Sequence, residues 1–322
     1  MKPVTLISGS LGAGKTTLLR ALLARTPSTE TVVILNEYGD VGVEEGLVRF
    51  AEDRIRVIAG GCLCCQKRDD LVDVLRSVVD DAHRGVVRYD RVIIELSGLA
   101  EAAPVAFTLA SDSFLRHQFR LDRILTVVDA TRSPEDFHPQ VIRQVMLADH
   151  VVLSKTDLVE PERVTTLTDA LTALNPVATV RPGYDLNDDA AAPAQRSQRV
   201  RAEMLDDHEE GHAAAVRSLV LPLEGRLDWP TFSLWLSLLL HVHGERVLRV
   251  KGLVDVGLPG PLLVHAVQHV VSAPEQLPEW PQGEARTELV LLLDGLDPQL
   301  VRRSFRAFRC APVRAEAAPV PM

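Results

Sequence analysis

The stretch Gly9-Ser10-Leu11-Gly12-Ala13-Gly14-Lys15-Thr16-Thr17 has residue types and spacing that suit phosphate binding. It fits G-x-x-x-x-G-K-[ST] without a mismatch. Gly9, Gly12 and Gly14, with the small Ala13, let a loop curl until its backbone N–H groups converge on phosphate oxygens. Lys15 is spaced to reach the β- and γ-phosphates, Thr16 to offer its hydroxyl to Mg²⁺, and Thr17 to bond a phosphate oxygen from the first helical turn. Of the 35 Lys and Arg residues only five are Lys: Lys2, Lys15, Lys67, Lys155 and Lys251. A chain that nearly always uses Arg keeps Lys where a slim ammonium must fit.

Two further stretches supply what a nucleoside triphosphate site needs. Glu95-Leu96-Ser97-Gly98 follows an apolar strand. An acid there polarises a Mg²⁺-bound water or positions the attacking one, and Gly98 can offer its N–H to a γ-phosphate. Ser154-Lys155-Thr156-Asp157 follows another apolar strand and approximates the Asn-Lys-x-Asp pattern of GTPases. A carboxylate at Asp157 can accept from guanine N1–H and N2–H₂, donors that adenine lacks, and the Lys155 stem can pack along the base. Ser154 departs from Asn, which removes an amide that braces this loop.

Gly60-Gly61-Cys62-Leu63-Cys64-Cys65 brings three thiols within four residues. Thiolates suit Zn²⁺, and a structural zinc site uses four protein ligands. Three at most are offered here, which fits an exchangeable site better than a permanent one. Ligand softness also admits Co²⁺, Ni²⁺ or copper. A redox pair and plain buried small side chains stay open beside metal. Asn36-Glu37-Tyr38-Gly39-Asp40 sits where P-loop GTPases sense the γ-phosphate. Glu37 and Asp40 are oxygen donors that could complete a thiolate site or handle water, with an ordinary acidic turn as the alternative. His117, His208, His212, His265 and His269 are weaker metal candidates, because 208 and 212 lie in an acidic linker and 265 and 269 in a strand-like run.

These residues must be positioned by alternating strands and helices. Residues 4–8, 31–35, 54–58, 91–95, 124–128 and 151–153 read as buried strands. Residues 69–82 have helical spacing, and helices are also expected at 18–24, 103–110, 138–147 and 161–173. The pattern predicts an α/β fold: a P-loop NTPase with a mostly parallel sheet covered by helices, plus a smaller C-terminal α+β domain. The expected domains are 1–183, a P-loop GTPase unit; 184–215, an acidic, partly flexible linker; 216–310, the α+β unit; and 311–322, a frayed tail. In the second unit, strands are expected at 218–223, 246–256, 262–271 and 287–293. Helices are expected from Asp228-Trp229-Pro230, with Asp228 as cap, and over 297–308.

The length of 322 residues allows two domains, and the net charge of −9 argues against nucleic acid as the main partner. No apolar run reaches the roughly 20 residues of a membrane span. The first strand begins within three residues of the N-terminus, which leaves no room for a signal peptide and makes the cytoplasm the expected compartment.

Together the P-loop, the 36–40, 60–65, 95–100 and 154–157 stretches, and Leu248-Arg249-Val250-Lys251-Gly252 resemble the CobW-type metallochaperone GTPases of the SIMIBI class of P-loop proteins. The resemblance spans nearly the whole chain, and its most specific element is C-x-C-C beside a P-loop. It implies slow GTP hydrolysis with Mg²⁺, coupled to binding a transition metal, most often Zn²⁺, and delivering it to a client metalloprotein. It assigns metal contact to Cys62, Cys64 and Cys65 with Glu37. The expected partners are GTP and GDP, the metal ion and the client, with a homodimer left open. Two rivals remain: a nucleotide-clamped assembly scaffold for one metalloenzyme, and a P-loop kinase or ATPase of other specificity.

Overall fold

The computed structural model describes residues 1–25, 31–37, 55–59, 68–184, 216–223, 225–280 and 287–310. The chain divides into two compact units, Met1–Ala214 with Ala266–Ser272, and Ala215–His265 with Ala273–Met322.

The first unit is built on seven strands: β1 (Lys2–Gly9), β2 (Thr31–Glu37), β3 (Ile55–Ala59), β4 (Arg91–Glu95), β5 (Phe119–Asp129), β6 (His150–Ser154) and β7 (Thr179–Pro182). They form one sheet in the order β3-β2-β4-β1-β5-β6-β7, and every paired neighbour runs parallel. Helices α1 (Lys15–Arg25), α2 (Arg68–His83), α3 (Ala102–Ser111), α4 (Leu115–Gln118), α5 (Pro139–Leu147) and α6 (Pro161–Leu174) connect them. The strands are apolar on both faces because both faces are buried. Leu125, Val127 and Val152 join Ile7, Leu18, Leu19 and Ile93 in one core cluster. Their chain neighbours Val128, Val151 and Leu153 point the other way, into a second cluster with Val145, Leu167 and Leu171.

Three elements differ from the sequence expectation. β5 begins at Phe119 rather than 124. Its register against β1 jumps from Val4↔Leu121 to Thr5↔Arg123, so Asp122 is an unpaired bulge residue that breaks the period of two. β7 was not anticipated: it is four residues long, polar in part and closed by Pro182. α4 is a single turn, started by Asp112 Oδ1, which accepts from the amides of Phe114 and Leu115 at 2.9 Å.

From residue 216 onward the chain carries β8 (Val216–Leu223), α7 (Trp229–His243), β9 (Val247–Val254), β10 (Leu262–Val267), β11 (Val270–Val271), β12 (Glu275–Gln276), β13 (Thr287–Asp294) and α8 (Pro298–Cys310), of which β11 and the end of β10 fall in the first unit and the rest in the second. The sheet order is β11-β10-β9-β13-β8, with β12 on β10, and β13 runs antiparallel to both β8 and β9. Asp228 caps α7 as expected, its Oδ2 accepting from Thr231 N at 2.9 Å, with Pro230 in the first turn. Trp235 is buried, donates from Nε1 to Ser304 Oγ at 3.1 Å, and meets the Phe305 ring edge-on at 4.7 Å. These contacts pin α7 to α8. The expected single run at 262–271 is split by Gln268, whose φ of 49° makes a turn. Among the described residues no helix is long and apolar enough to cross a membrane.

Candidate nucleotide site

The carboxyl ends of parallel strands, where the strand order reverses around β1, are where an open α/β sheet binds ligands. β1 lies between β4 and β5 and runs into the glycine loop, and α1 starts at Lys15. The residues singled out above end the neighbouring strands: Glu37 ends β2, Glu95 ends β4 and Ser154 ends β6.

Lys15 is buried, and its Nζ donates to the carbonyls of Gly9 at 3.1 Å and Ser10 at 3.0 Å, which ties the ammonium across the loop. Burial lowers its pKa below the usual lysine value, and the nearby Glu95 charge acts in the opposite direction. Thr16 Oγ1 donates to Glu95 Oε1 at 2.9 Å. Thr17 is exposed beside it on the first turn of α1. Gly98 lies against the loop so closely that a Cβ there would sit 2.5 Å from Leu11 N. The 95–100 stretch therefore packs directly on the phosphate loop.

A hydroxyl and a carboxylate oxygen converging at hydrogen-bond distance form a hard-oxygen pair suited to Mg²⁺, which would share its remaining positions with phosphate oxygens and water. The residues present fit that ion.

Ser154, where the bracing Asn amide was expected to be lost, makes contacts of its own. It is fully buried, and its Oγ donates to Ala13 O at 2.6 Å and lies 3.3 Å from Val128 O. Lys155 follows in a left-handed conformation, φ 55° and ψ 31°, and its Nζ reaches Asp129 Oδ2 at 2.6 Å. Asp157 lies in the 3-10 turn Thr156–Leu158 with its side chain exposed.

Sequence reasoning missed four participants. Asp129, the last residue of β5, holds Lys155. Tyr184 follows β7 and packs on the α1 side of the core, and a Cβ on Gly14 would lie 2.6 Å from its hydroxyl and 3.5 Å from Ser154 Cβ. Gln140 and Gln144 of α5 grip the backbone behind Glu95. Gln144 Nε2 donates to Ala100 O at 3.1 Å and lies 3.5 Å from Gly98 O, and Gln140 Nε2 donates to Leu99 O. Arg143 between them pairs with Glu101 at 3.1 Å. The spacing 140, 143 and 144 puts all three on one helix face, a signal present in the sequence but unreadable without knowing what α5 packs on.

Cys62, Cys64 and Cys65 lie outside the described residues, as do Asp40, His208 and His212. Of Glu37 only the backbone is described, in β2. Among the described residues no group of three or more His, Cys, Asp and Glu could hold a metal ion. His117 accepts from Arg116 Nε at 3.1 Å, and His265 lies 3.0 Å from Arg249 Nη2 in the second unit. His265 is in β10 and His269 falls beyond the turn at Gln268, so they do not form a helical pair.

Fold and site define the class: a P-loop nucleotide-binding protein with a separate antiparallel sheet unit. The family model described as "CobW/HypB/UreG, nucleotide-binding domain" matches residues 3–182, and the "Cobalamin synthesis protein cobW C-terminal domain" model matches residues 216–309. The chain belongs to the CobW/HypB/UreG family, with the CobW C-terminal domain appended. It is 30% identical over 317 residues to the zinc chaperone YjiA of Escherichia coli, covering 95% of this chain and 98% of the relative. It is 29% identical over 354 residues to the zinc chaperone CobW of a Sinorhizobium species, covering 95% and 96%. The crystal structure of the Zn(II)-bound YjiA GTPase from E. coli matches with a TM-score of 0.68 at 25% identity, over 96% of this chain and 99% of that one.

Proposed function

We propose that the protein is a GTP-binding and GTP-hydrolysing metallochaperone. It takes up a transition metal, zinc first, at Cys62, Cys64 and Cys65 with Glu37, and passes it to a client metalloprotein. The observation that carries this is strand register. Leu35 of β2 pairs with Glu95 of β4, and Glu37 pairs with Ala59, the last residue of β3. The chain thus leaves β3 toward Cys62 from beside Glu37, two residues past the level of Glu95. Relatives named as zinc chaperones, one of them a Zn(II)-bound GTPase, support the same cargo and nucleotide.

In this mechanism the backbone amides of residues 9–14 and the Lys15 ammonium bind the triphosphate. Ser154 and Lys155 hold the base loop, and Asp157 accepts from the guanine edge. Thr16 and Glu95 would hold Mg²⁺, which supplies neutralisation of the phosphate charge. Glu95 also orients the attacking water. The Gly98 N–H senses the γ-phosphate, and its loop is held on the other side by Gln144. Loss of the γ-phosphate loosens the loop behind Glu95. The β4–β2–β3 edge carries that change to Glu37 and the cysteines, lowering their hold on the metal.

The test pairs two variants of the full chain. Lys15→Ala should lose GTP binding and keep most zinc binding. Replacing Cys62, Cys64 and Cys65 with Ser should lose high-affinity zinc and keep GTP binding. GTP binding that survives Lys15→Ala, or tight zinc binding that survives loss of the three thiols, overturns the proposal.

A further inference from the structure

We infer that Asp129 is a positioning residue of the base site, acting through Lys155. This rests on the guanine-nucleotide reading above and deepens it.

Asp129 ends β5 opposite Ser154 of β6 in the parallel register. Its side chain is 8% exposed, that of Lys155 36%. One carboxylate oxygen, Oδ2, takes the Lys155 ammonium at 2.6 Å. The other, Oδ1, takes Thr131 N at 2.9 Å and Thr131 Oγ1 at 2.7 Å. With both oxygens bonded, the carboxylate has one orientation. The loop behind it is clamped in turn: Arg163 of α6 donates from Nε to Ala130 O at 3.1 Å, and from Nη2 to Thr131 O and Ser133 Oγ at 3.2 Å each.

Lys155 needs this anchor for two reasons. Its backbone is left-handed, a conformation in which a Cβ crowds the following carbonyl, so something must hold it there. Its stem also has four rotatable bonds, and an unanchored lysine would have to be ordered when nucleotide arrives, a cost taken from affinity. Asp129 orders it beforehand, and the aliphatic stem between anchor and backbone becomes a fixed wall for the purine. The wall is independent of the hydrogen bonds by which Asp157 reads the base, so Asp129 governs affinity for the nucleoside moiety and Asp157 governs its identity.

The experiment is a double-mutant cycle on the full-length chain, read as dissociation constants of fluorescent GDP and ADP analogues. The variants are Asp129→Asn, Lys155→Met (which keeps a stem and loses the charge) and both together. Each single change is expected to weaken guanine-nucleotide binding by about tenfold, and the double by no more than the worse single, the non-additivity of residues that act as one unit. Thr131→Val, which loosens the carboxylate without touching its charge, should weaken binding several-fold in the wild-type background and not at all in Lys155→Met. An unchanged dissociation constant in Asp129→Asn overturns the inference. So do losses that multiply in the double variant. If Asp129→Asn does not fold, the Thr131→Val pair decides by the same criterion. If the adenine analogue binds in place of the guanine one, the guanine reading fails, and the cycle run on that analogue still tests Asp129.

Discussion

Ser154 Oγ donates to the carbonyl of Ala13 at 2.6 Å, both residues fully buried. One hydroxyl thus joins the phosphate loop to the end of β6, directly before Lys155 and Asp157. Removing it in Ser154→Ala leaves a buried carbonyl without this partner, at a cost of about 1–3 kcal/mol. Chemical denaturation should register that loss. GDP affinity should fall with it, because the phosphate and base subsites are no longer held at a fixed separation.

The bond from Thr16 to Glu95 gives a metal-dependence prediction. Wild-type GTP affinity should drop steeply when Mg²⁺ is chelated. Thr16→Ala should bind GTP about as weakly with Mg²⁺ as wild type does without it. Glu95→Gln should weaken Mg²⁺-dependent GTP binding less than Thr16→Ala does, because an amide oxygen still faces the ion, and should lower turnover by about 100-fold, the scale of losing one positioned catalytic group. Single-turnover hydrolysis with and without chelator measures both.

Gln144 predicts a separation of binding from catalysis. Gln144→Leu removes the donor to Ala100 O and Gly98 O while keeping the volume of a buried side chain. GTP affinity should change little, and turnover should fall by about tenfold as the Glu95–Gly98 loop loses its backing. Equal losses in affinity and turnover would show that α5 merely stabilises the unit.

Asp129 predicts a pH dependence of stability. Burial pushes its pKa up, and the hydrogen bonds from Lys155 and Thr131 and the lysine charge outweigh that, so it lies below the usual carboxylate value. A folded-state pKa below the unfolded one adds stability that is present above the unfolded pKa and lost as pH falls through the folded one. Asp129→Asn should therefore be less stable than wild type at neutral pH. The gap should narrow below about pH 4. Urea midpoints across that range measure it.

The second unit offers a core test. Trp235→Ala removes the ring that meets Phe305 at 4.7 Å and the donor to Ser304. A loss of about 3–5 kcal/mol is expected. Nucleotide affinity should stay within a factor of about two, since among the described residues none placed in the nucleotide site belongs to α7 or α8.

The sheet was legible because a doubly covered parallel strand writes itself as an apolar run: 4–8, 31–35, 91–95 and 151–153 all fall inside β1, β2, β4 and β6. The P-loop and Glu95 were legible because phosphate chemistry fixes residue type and spacing together. Asp129 was not. It sits in no fixed motif, and its meaning comes only from the parallel register that sets β5 beside β6. Ser154 was read as a loss, because its reach depends on the distance to Ala13, which no spacing rule contains. β7 and the start of β5 escaped for a different reason: an edge strand and a bulge both break the alternation by which strands are recognised.

Nucleotide-gated metal binding can be read from anaerobic zinc titration of the whole chain, with a non-hydrolysable GTP analogue and with GDP. Coupling between two sites is reciprocal, so metal must shift nucleotide affinity by the same factor that nucleotide shifts metal affinity. Zinc is expected to bind at least about fivefold more tightly with the GTP analogue, with Cys62, Cys64 and Cys65 supplying the thiolates seen spectroscopically. Identical zinc affinity in the two nucleotide states would contradict it.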